Sequence, residues 1–286
     1  MEPRSLRLPG THGLSLHALE WSREGTLLLF LHGFSNDAHV WDWCAPTFAP
    51  HYRVLALDHR GHGDSDRDPE GRYDHETMAR DVAAALDSLG IARVAIVGHS
   101  LGGRVAMRFA GLFPERVAGL VIVDSAPELD ARGTTRIRLD VQQQDPSFAS
   151  VKEYERILAR QYPATRADIL AKLAGHWTRA RADGRIELKM DPAFMRGRRG
   201  VSEDELARWS AEEAKHLWGA LEKLPCPALV VRGAASDVLS ADVADKMADE
   251  VLKQGRLEVI PRAGHSVMLD NPEGFEKALA GFVLGE

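Results

Sequence analysis

The chain has 286 residues, 44% of them hydrophobic and 27% charged, a size that accommodates one large α/β domain or two small ones and a composition ordinary for a globular protein. Its 36 basic and 42 acidic residues leave a formal charge of -6, which gives no electrostatic reason to expect nucleic acid or an anionic membrane as a partner. The two cysteines, Cys44 and Cys226, stand far apart and outside any CxxC or Cys/His spacing, and are read as free thiols in a reducing compartment.

The N-terminal stretch MEPRSLRLPGTHGLSLHALEW carries neither an apolar h-region nor a small-residue cleavage site, so no signal peptide is expected. TLLLFL is too short to span a bilayer, and the expectation is a soluble cytoplasmic protein with no membrane partner. Around LRL and GLSLHAL the residues alternate as in antiparallel edge strands. Six apolar runs then read as strands: 26–31, 52–57, 93–97, 119–123, 228–232 and 256–260. Helical patterns separate most of them, including 75–90 and 241–255. Continuous apolar strands alternating with helices predict an α/β fold, a mostly parallel central sheet with helices on both faces.

One interval breaks this rhythm. Residues 127–220 contain no convincing strand but several helical patterns, such as VKEYERILARQ, ATRADILAKLAGHW and SEDELARWSAEEAKHLWGAL. The expected organisation is a core of residues 1–126 and 221–286 with a helical cap, 127–220, inserted before the penultimate strand.

The chemistry centres on VGHSLGG, residues 97–103, which sits between an apolar strand and a helix whose apolar positions are Leu101, Val105, Phe109 and Leu112. Gly98-His99-Ser100-Leu101-Gly102 fits G-x-S-x-G, in which a sharp strand-to-helix turn lifts a serine hydroxyl out of the sheet. Flanking glycines let the backbone turn that tightly, and the helix start places N–H groups beside a forming oxyanion. A serine needs a base, and this setting predicts the order serine, acid, histidine. Of the twelve histidines, His176, His216 and His265 follow Ser100. The first two lie in helical patterns of the inserted segment and read as packed or surface residues. His265 lies in a glycine-marked loop after the last strand and is the expected base. For the acid, both Asp237, in the small-residue loop after strand 228–232, and Asp124, after the strand before it, are in reach; the reading favours Asp237. His99 is expected to pack beneath the turn or touch the cap loop.

With these residues together, the chain resembles the α/β-hydrolase fold superfamily over essentially its whole length. LHGFSNDAHVW resembles the oxyanion loop, DHRGHGDSD the loop after the next strand, VGHSLGG the nucleophile elbow, RGAASDVLS the acid loop and AGHSVMLDNPEGF the histidine loop. The resemblance implies that the N–H groups of Phe34 and Leu101 form an oxyanion hole, with His32 and Gly33 shaping the loop. His-Gly-Phe in place of His-Gly-Gly-Gly argues against one lipase branch, and Ser100 argues against the epoxide hydrolases and haloalkane dehalogenases, which use an aspartate there.

The function expected is hydrolysis of a small to medium carboxylic ester through an acyl-enzyme on Ser100, with Asp237 and His265 completing the triad and no cofactor. Lactone hydrolysis, C–C bond hydrolysis, and perhydrolase or acyltransferase chemistry would use the same triad; a low-turnover ligand receptor is the alternative of another class. The acids and histidines of DHRGHGDSD lack the HExxH spacing, so no metal is expected there, and no Walker lysine or GxGxxG spacing points to a nucleotide. Among Trp177, Met190, Phe194, Met195, Trp209 and Trp218 of the inserted segment, Trp177 and Phe194 are expected to meet substrate, with core packing accounting for the others. The MRGRRG run reads as a solvated loop or an anion contact.

Overall fold

A computed structural model of the chain describes residues 2–142, 147–196 and 202–285. In chain order its strands are β1 (Arg4–Pro9), β2 (Ser15–Glu20), β3 (Leu27–Leu31), β4 (Arg53–Leu57), β5 (Val94–His99), β6 (Val117–Val123), β7 (Ser147–Phe148), β8 (Thr178–Ala180), β9 (Ile186–Leu188), β10 (Ala228–Gly233) and β11 (Gly255–Ile260). The helices are α1 (Ala45–Phe48), α2 (His75–Ser88), α3 (Leu101–Leu112), α4 (Ala131–Gln142), α5 (Val151–Gln161), α6 (Ala167–His176), α7 (Ala193–Arg196), α8 (Glu203–Glu222), α9 (Ala241–Asp245), α10 (Val267–Asp270) and α11 (Pro272–Val283).

Eight strands form one sheet in the order β1-β2-β4-β3-β5-β6-β10-β11. The alternating N-terminal pieces are its antiparallel edge, β1 on β2 and β2 on β4, while β4 to β11 run parallel. Every residue of β3 is buried because helices cover both faces, which explains its unbroken apolar run. Side chains alternate between the two layers. Leu27, Leu29 and Leu31 pack with Met78, Val82, Val105 and Phe109 of α2 and α3. Leu28 and Phe30 point the other way, toward Trp41, Phe48 and Phe275. Full burial of such a side chain contributes about 1.5–3 kcal/mol.

Between β6 and β10 the chain differs from the expected all-helical insertion. Besides α4 to α8 it contains a three-stranded antiparallel sheet, β7-β9-β8. These strands are two or three residues long, too short to show a period-two pattern in the sequence. The C-terminal part of α8 lies on α3, with Leu217 and Leu221 in the same apolar layer as Val105 and Phe109. Packing is therefore continuous across residue 220. The helix expected over 241–255 ends early: α9 passes into a π-helical turn, Lys246–Val251, and Leu252 is extended. Among the described residues no helix is long and apolar enough to cross a membrane.

Registry at the carboxyl edge of the sheet sets up the site. His99 pairs with Val123 across β5 and β6, and Val123 pairs with Val231 across β6 and β10. Ser100, Asp124 and the loop after Gly233 thus leave the sheet at one level.

Candidate active site

Ser100 follows β5 directly and caps α3 with φ 51° and ψ -113°, a backbone conformation costly for a residue with a side chain. Its N–H donates to Val123 O at 3.0 Å, and its carbonyl accepts from Ser125 Oγ at 2.7 Å. The glycines beside it are required by crowding. A Cβ on Gly98 would stand 2.4 Å from Gly102 O, and one on Gly102 would stand 2.3 Å from Leu31 O. Close passage of three backbone segments is what holds the strained serine in place.

His265 lies in the loop between β11 and α10. Its Nε2 is 3.0 Å from Ser100 Oγ, and its Nδ1 is 2.8 Å from Asp124 Oδ2. The expectation that Asp237 meets this imidazole is corrected here. Asp237 turns toward α4, where its carboxylate accepts from Nε and Nη2 of the Arg136 guanidinium at 2.6 and 2.9 Å; that pairing holds its pKa below the usual carboxylate value. Asp124 is fully buried at φ 44°. It accepts from Gly233 N–H at 3.1 Å and from Ser236 Oγ at 2.6 Å. Ser236 Oγ also accepts from the N–H groups of Val238 and Leu239, each at 3.1 Å. The side chain that the loop after β10 offers to the imidazole's partner is therefore a hydroxyl, one residue ahead of the aspartate.

Such a chain of groups is able to move a proton from the hydroxyl to Nε2 while the carboxylate holds the other ring nitrogen and stabilises the imidazolium. Two further histidines fix the surroundings. His99 Nε2 donates to His265 O at 2.9 Å, so it braces the histidine loop. His32 Nε2 accepts from His59 N–H at 3.0 Å, which leaves Nδ1–H to donate to Gly33 O at 2.8 Å. Burial holds His32 and His99 well below the ordinary imidazole pKa, with neighbouring histidines adding to the effect, so both rings are neutral. Gly33 packs so closely on His99 that a Cβ there would lie 2.6 Å from Nδ1. Among the described residues, neither Phe34 N–H nor Leu101 N–H has a hydrogen-bond partner, as groups awaiting an oxyanion would be.

The inserted segment reaches this region through Phe194, 5.3 Å from the Phe34 ring and 5.0 Å from that of His62, and stacked on Tyr73 at 4.9 Å. Trp177 is buried, and its Nε1–H donates to Asp37 Oδ1 at 3.1 Å. Met190 is also buried, Trp209 is exposed, and Trp218 donates to Glu128 Oε1 at 2.9 Å. Residues 197–200, most of the MRGRRG run, lie outside the described residues. In DHRGHGDSD the carboxylates hold loops together. Asp58 takes Ala38 N–H at 2.6 Å, Asp64 N–H at 2.9 Å and His17 Nδ1 at 2.7 Å; Asp66 takes Ser15 N–H at 2.8 Å.

A serine, histidine and aspartate brought together at the carboxyl edge of a parallel sheet define the class, and the comparisons agree. Residues 26–272 match the family model for the alpha/beta hydrolase fold, and the chain belongs to that family. It is 28% identical over 259 residues to 2-(acetamidomethylene)succinate hydrolase of Mesorhizobium japonicum, covering 91% of this chain and 88% of the relative. It is 26% identical over 276 residues to an esterase of Mycobacterium tuberculosis, covering 93% and 86%. The crystal structure of E-2-(acetamidomethylene)succinate hydrolase superimposes with a TM-score of 0.85 at 27% identity, covering 98% of this chain and 99% of that one. These relatives are hydrolases, and hydrolase is the general function of this chain.

Proposed function

We propose that the chain is a serine hydrolase that cleaves small to medium carboxylic esters through an acyl-enzyme, with Ser100 as nucleophile, His265 as base and Asp124 as the orienting carboxylate. The observation that carries this reading is the continuous pair of contacts at 3.0 and 2.8 Å from Ser100 Oγ through His265 to Asp124. Ser100 attacks the carbonyl as His265 takes its proton, and the N–H groups of Phe34 and Leu101 hold the tetrahedral oxyanion. His265 then protonates the leaving alcohol and activates the water that releases the acid. No cofactor enters these steps.

In this reading residues 127–220 act as a cap, and Phe194 walls the acyl pocket beside Phe34. Trp177 docks the cap and does not contact substrate. Both cysteines are free and buried, and a reducing, cytoplasmic setting is part of this proposal. The test is turnover of p-nitrophenyl esters of increasing acyl length, with the acetamido compound named for the relative as an additional substrate. Activity that disappears in Ser100→Ala, by on the order of 10⁴-fold or more, is the expected result. Equal turnover by wild type and Ser100→Ala would overturn the assignment.

A further inference from the structure

His39 and Asp42, three residues apart, meet the distant His176 where the segment between β6 and β10 docks on the core, outside the Ser100 site. His39 belongs to the short turn Ala38–Trp41 that follows the oxyanion loop, Asp42 ends that turn, and His176 is the last residue of α6. The two imidazoles stack with centroids 3.5 Å apart and planes at 15°. His39 Nδ1 is 3.0 Å from Asp42 Oδ2. Asp42 Oδ1 is buried and, among the described residues, has no hydrogen-bond partner, a costly state for a carboxylate oxygen beside two stacked rings.

We propose that these three side chains form a binding site for a divalent transition-metal ion of the zinc class, which ties the inserted segment to the loop after β3. A ligand atom from each lies within 4.8 Å of those from the other two. A tetrahedral zinc ion with bonds of about 2.0–2.1 Å wants its ligands about 3.3 Å apart. Closing that gap takes side-chain rotation that turns the rings out of their stack and brings Asp42 Oδ1 onto the ion. Two imidazoles and one carboxylate leave a fourth position for water, a donor set that suits zinc better than calcium or magnesium. Cys44 adds no thiolate: it is buried, its Sγ donates to Trp41 O, and burial pushes its pKa well up. The nearby Lys189 ammonium is paired with Asp64 at 2.9 Å, which offsets its repulsion of a cation. His176 directly precedes Trp177, whose indole already bonds Asp37, so the ion would reinforce the same seam.

The test is calorimetric titration of the full chain with Zn²⁺, repeated on His39→Asn, Asp42→Asn and His176→Asn. His265→Ala and His216→Asn serve as controls for metal taken up at the Ser100 site and at the exposed His216–Glu212 pair. Stoichiometric binding in wild type and both controls is expected. Each of the three variants should lose affinity by on the order of 100-fold, since changes merely behind a ligand already cost roughly 10- to 100-fold. The melting temperature of wild type should rise with zinc, and that of the three variants should not. All three residues are partly exposed, and a melt of each variant without metal establishes that it folds. Absence of binding by wild type, full affinity in any one of the three variants, or loss of binding in His265→Ala would each overturn the proposal.

Discussion

The loop after β6 and the loop after β10 each bring an aspartate to the edge of the sheet where His265 sits, yet the two carboxylates live in opposite surroundings. Asp124 is fully buried and takes hydrogen bonds from a backbone N–H, a serine hydroxyl and the imidazole. Asp237 is about a third exposed, with a relative side-chain exposure of 36%, and is paired with an arginine of α4 that is itself 42% exposed. A buried carboxylate with fixed donors has one orientation available and can hold an imidazole in place. An exposed one in a surface ion pair has alternatives in water. Position after a strand therefore matters less than the donors that surround the oxygen atoms.

The sharpest way to break this comparison is to neutralise each carboxylate in turn. Asp124→Asn should lower kcat by on the order of 10⁴-fold with the fold retained, as removal of the charge from a triad carboxylate does. Ester turnover by the purified variant, set beside its far-UV spectrum, is the measurement. Adding Ser236→Asp to Asp124→Asn would place a carboxylate where the Ser236 hydroxyl now meets Asp124. Recovery of about tenfold or more would be the mark of a site that needs a buried charge and accepts it from either loop.

Acid should separate the buried floor of the site from its surface in the same way. Burial, with a neighbouring histidine, pushes His59 down to about 3, and burial pushes His62 down to about 4. Above about pH 6.5 both rings are neutral in the folded and unfolded chains, and their contribution is fully present. As the pH falls below that, the unfolded chain takes up protons that the folded chain refuses, and each ring costs about 1.4 kcal/mol per pH unit until its folded pKa is reached. Asp37, raised by burial and by Asp58, works in the opposite sense because its folded form holds a proton the unfolded form has lost. Two imidazoles outweigh one such acid, so the balance on acidification is a loss of stability. His32 and His99, lowered as well, add to it. Urea melts between pH 7.5 and 5 measure this, and a midpoint that does not fall would contradict neutral burial of these rings.

Much of this was legible in the sequence because it rests on short-range pattern. Apolar runs of five to seven residues marked the parallel strands, and G-x-S-x-G between strand and helix marked Ser100. The small sheet β7-β9-β8 was not legible, since its strands are two or three residues long and β7 finds its partner about forty residues away. The acid was half legible. Asp124 and Asp237 look alike as letters after strands, and the deciding fact, that Ser236 and Gly233 N–H aim at Asp124 while Arg136 draws Asp237 away, exists only in three dimensions. Trp177 shows the same limit, because an aromatic residue near a pocket and one in a docking seam share one sequence signature.

Smaller effects sharpen the comparison further. Ser236→Ala would remove a donor to the buried Asp124 and the acceptor of two N–H groups, at a cost of about 1–3 kcal/mol in stability, read from the midpoint of a denaturant melt. The smallest change belongs to Asp237. Its ion pair with Arg136 is short at 2.6 Å, but both side chains reach solvent, where such pairs are worth about 0–1 kcal/mol and weaken with salt. Asp237→Asn should therefore leave kcat within about threefold of wild type and shift the melt by less than about 1 kcal/mol, the shift shrinking as salt is added. Since Asp237 stands one residue from Ser236, this variant also reports whether the loop holds its shape without the pair. Unchanged turnover would mean that the loop stays against Asp124 without the ion pair, held by Gly233 N–H, Ser236 and the other bonds of the loop, such as Arg232 Nε to Leu239 O at 2.8 Å. A 10⁴-fold loss at Asp237 with Asp124→Asn near wild type would instead return the triad to the loop after β10.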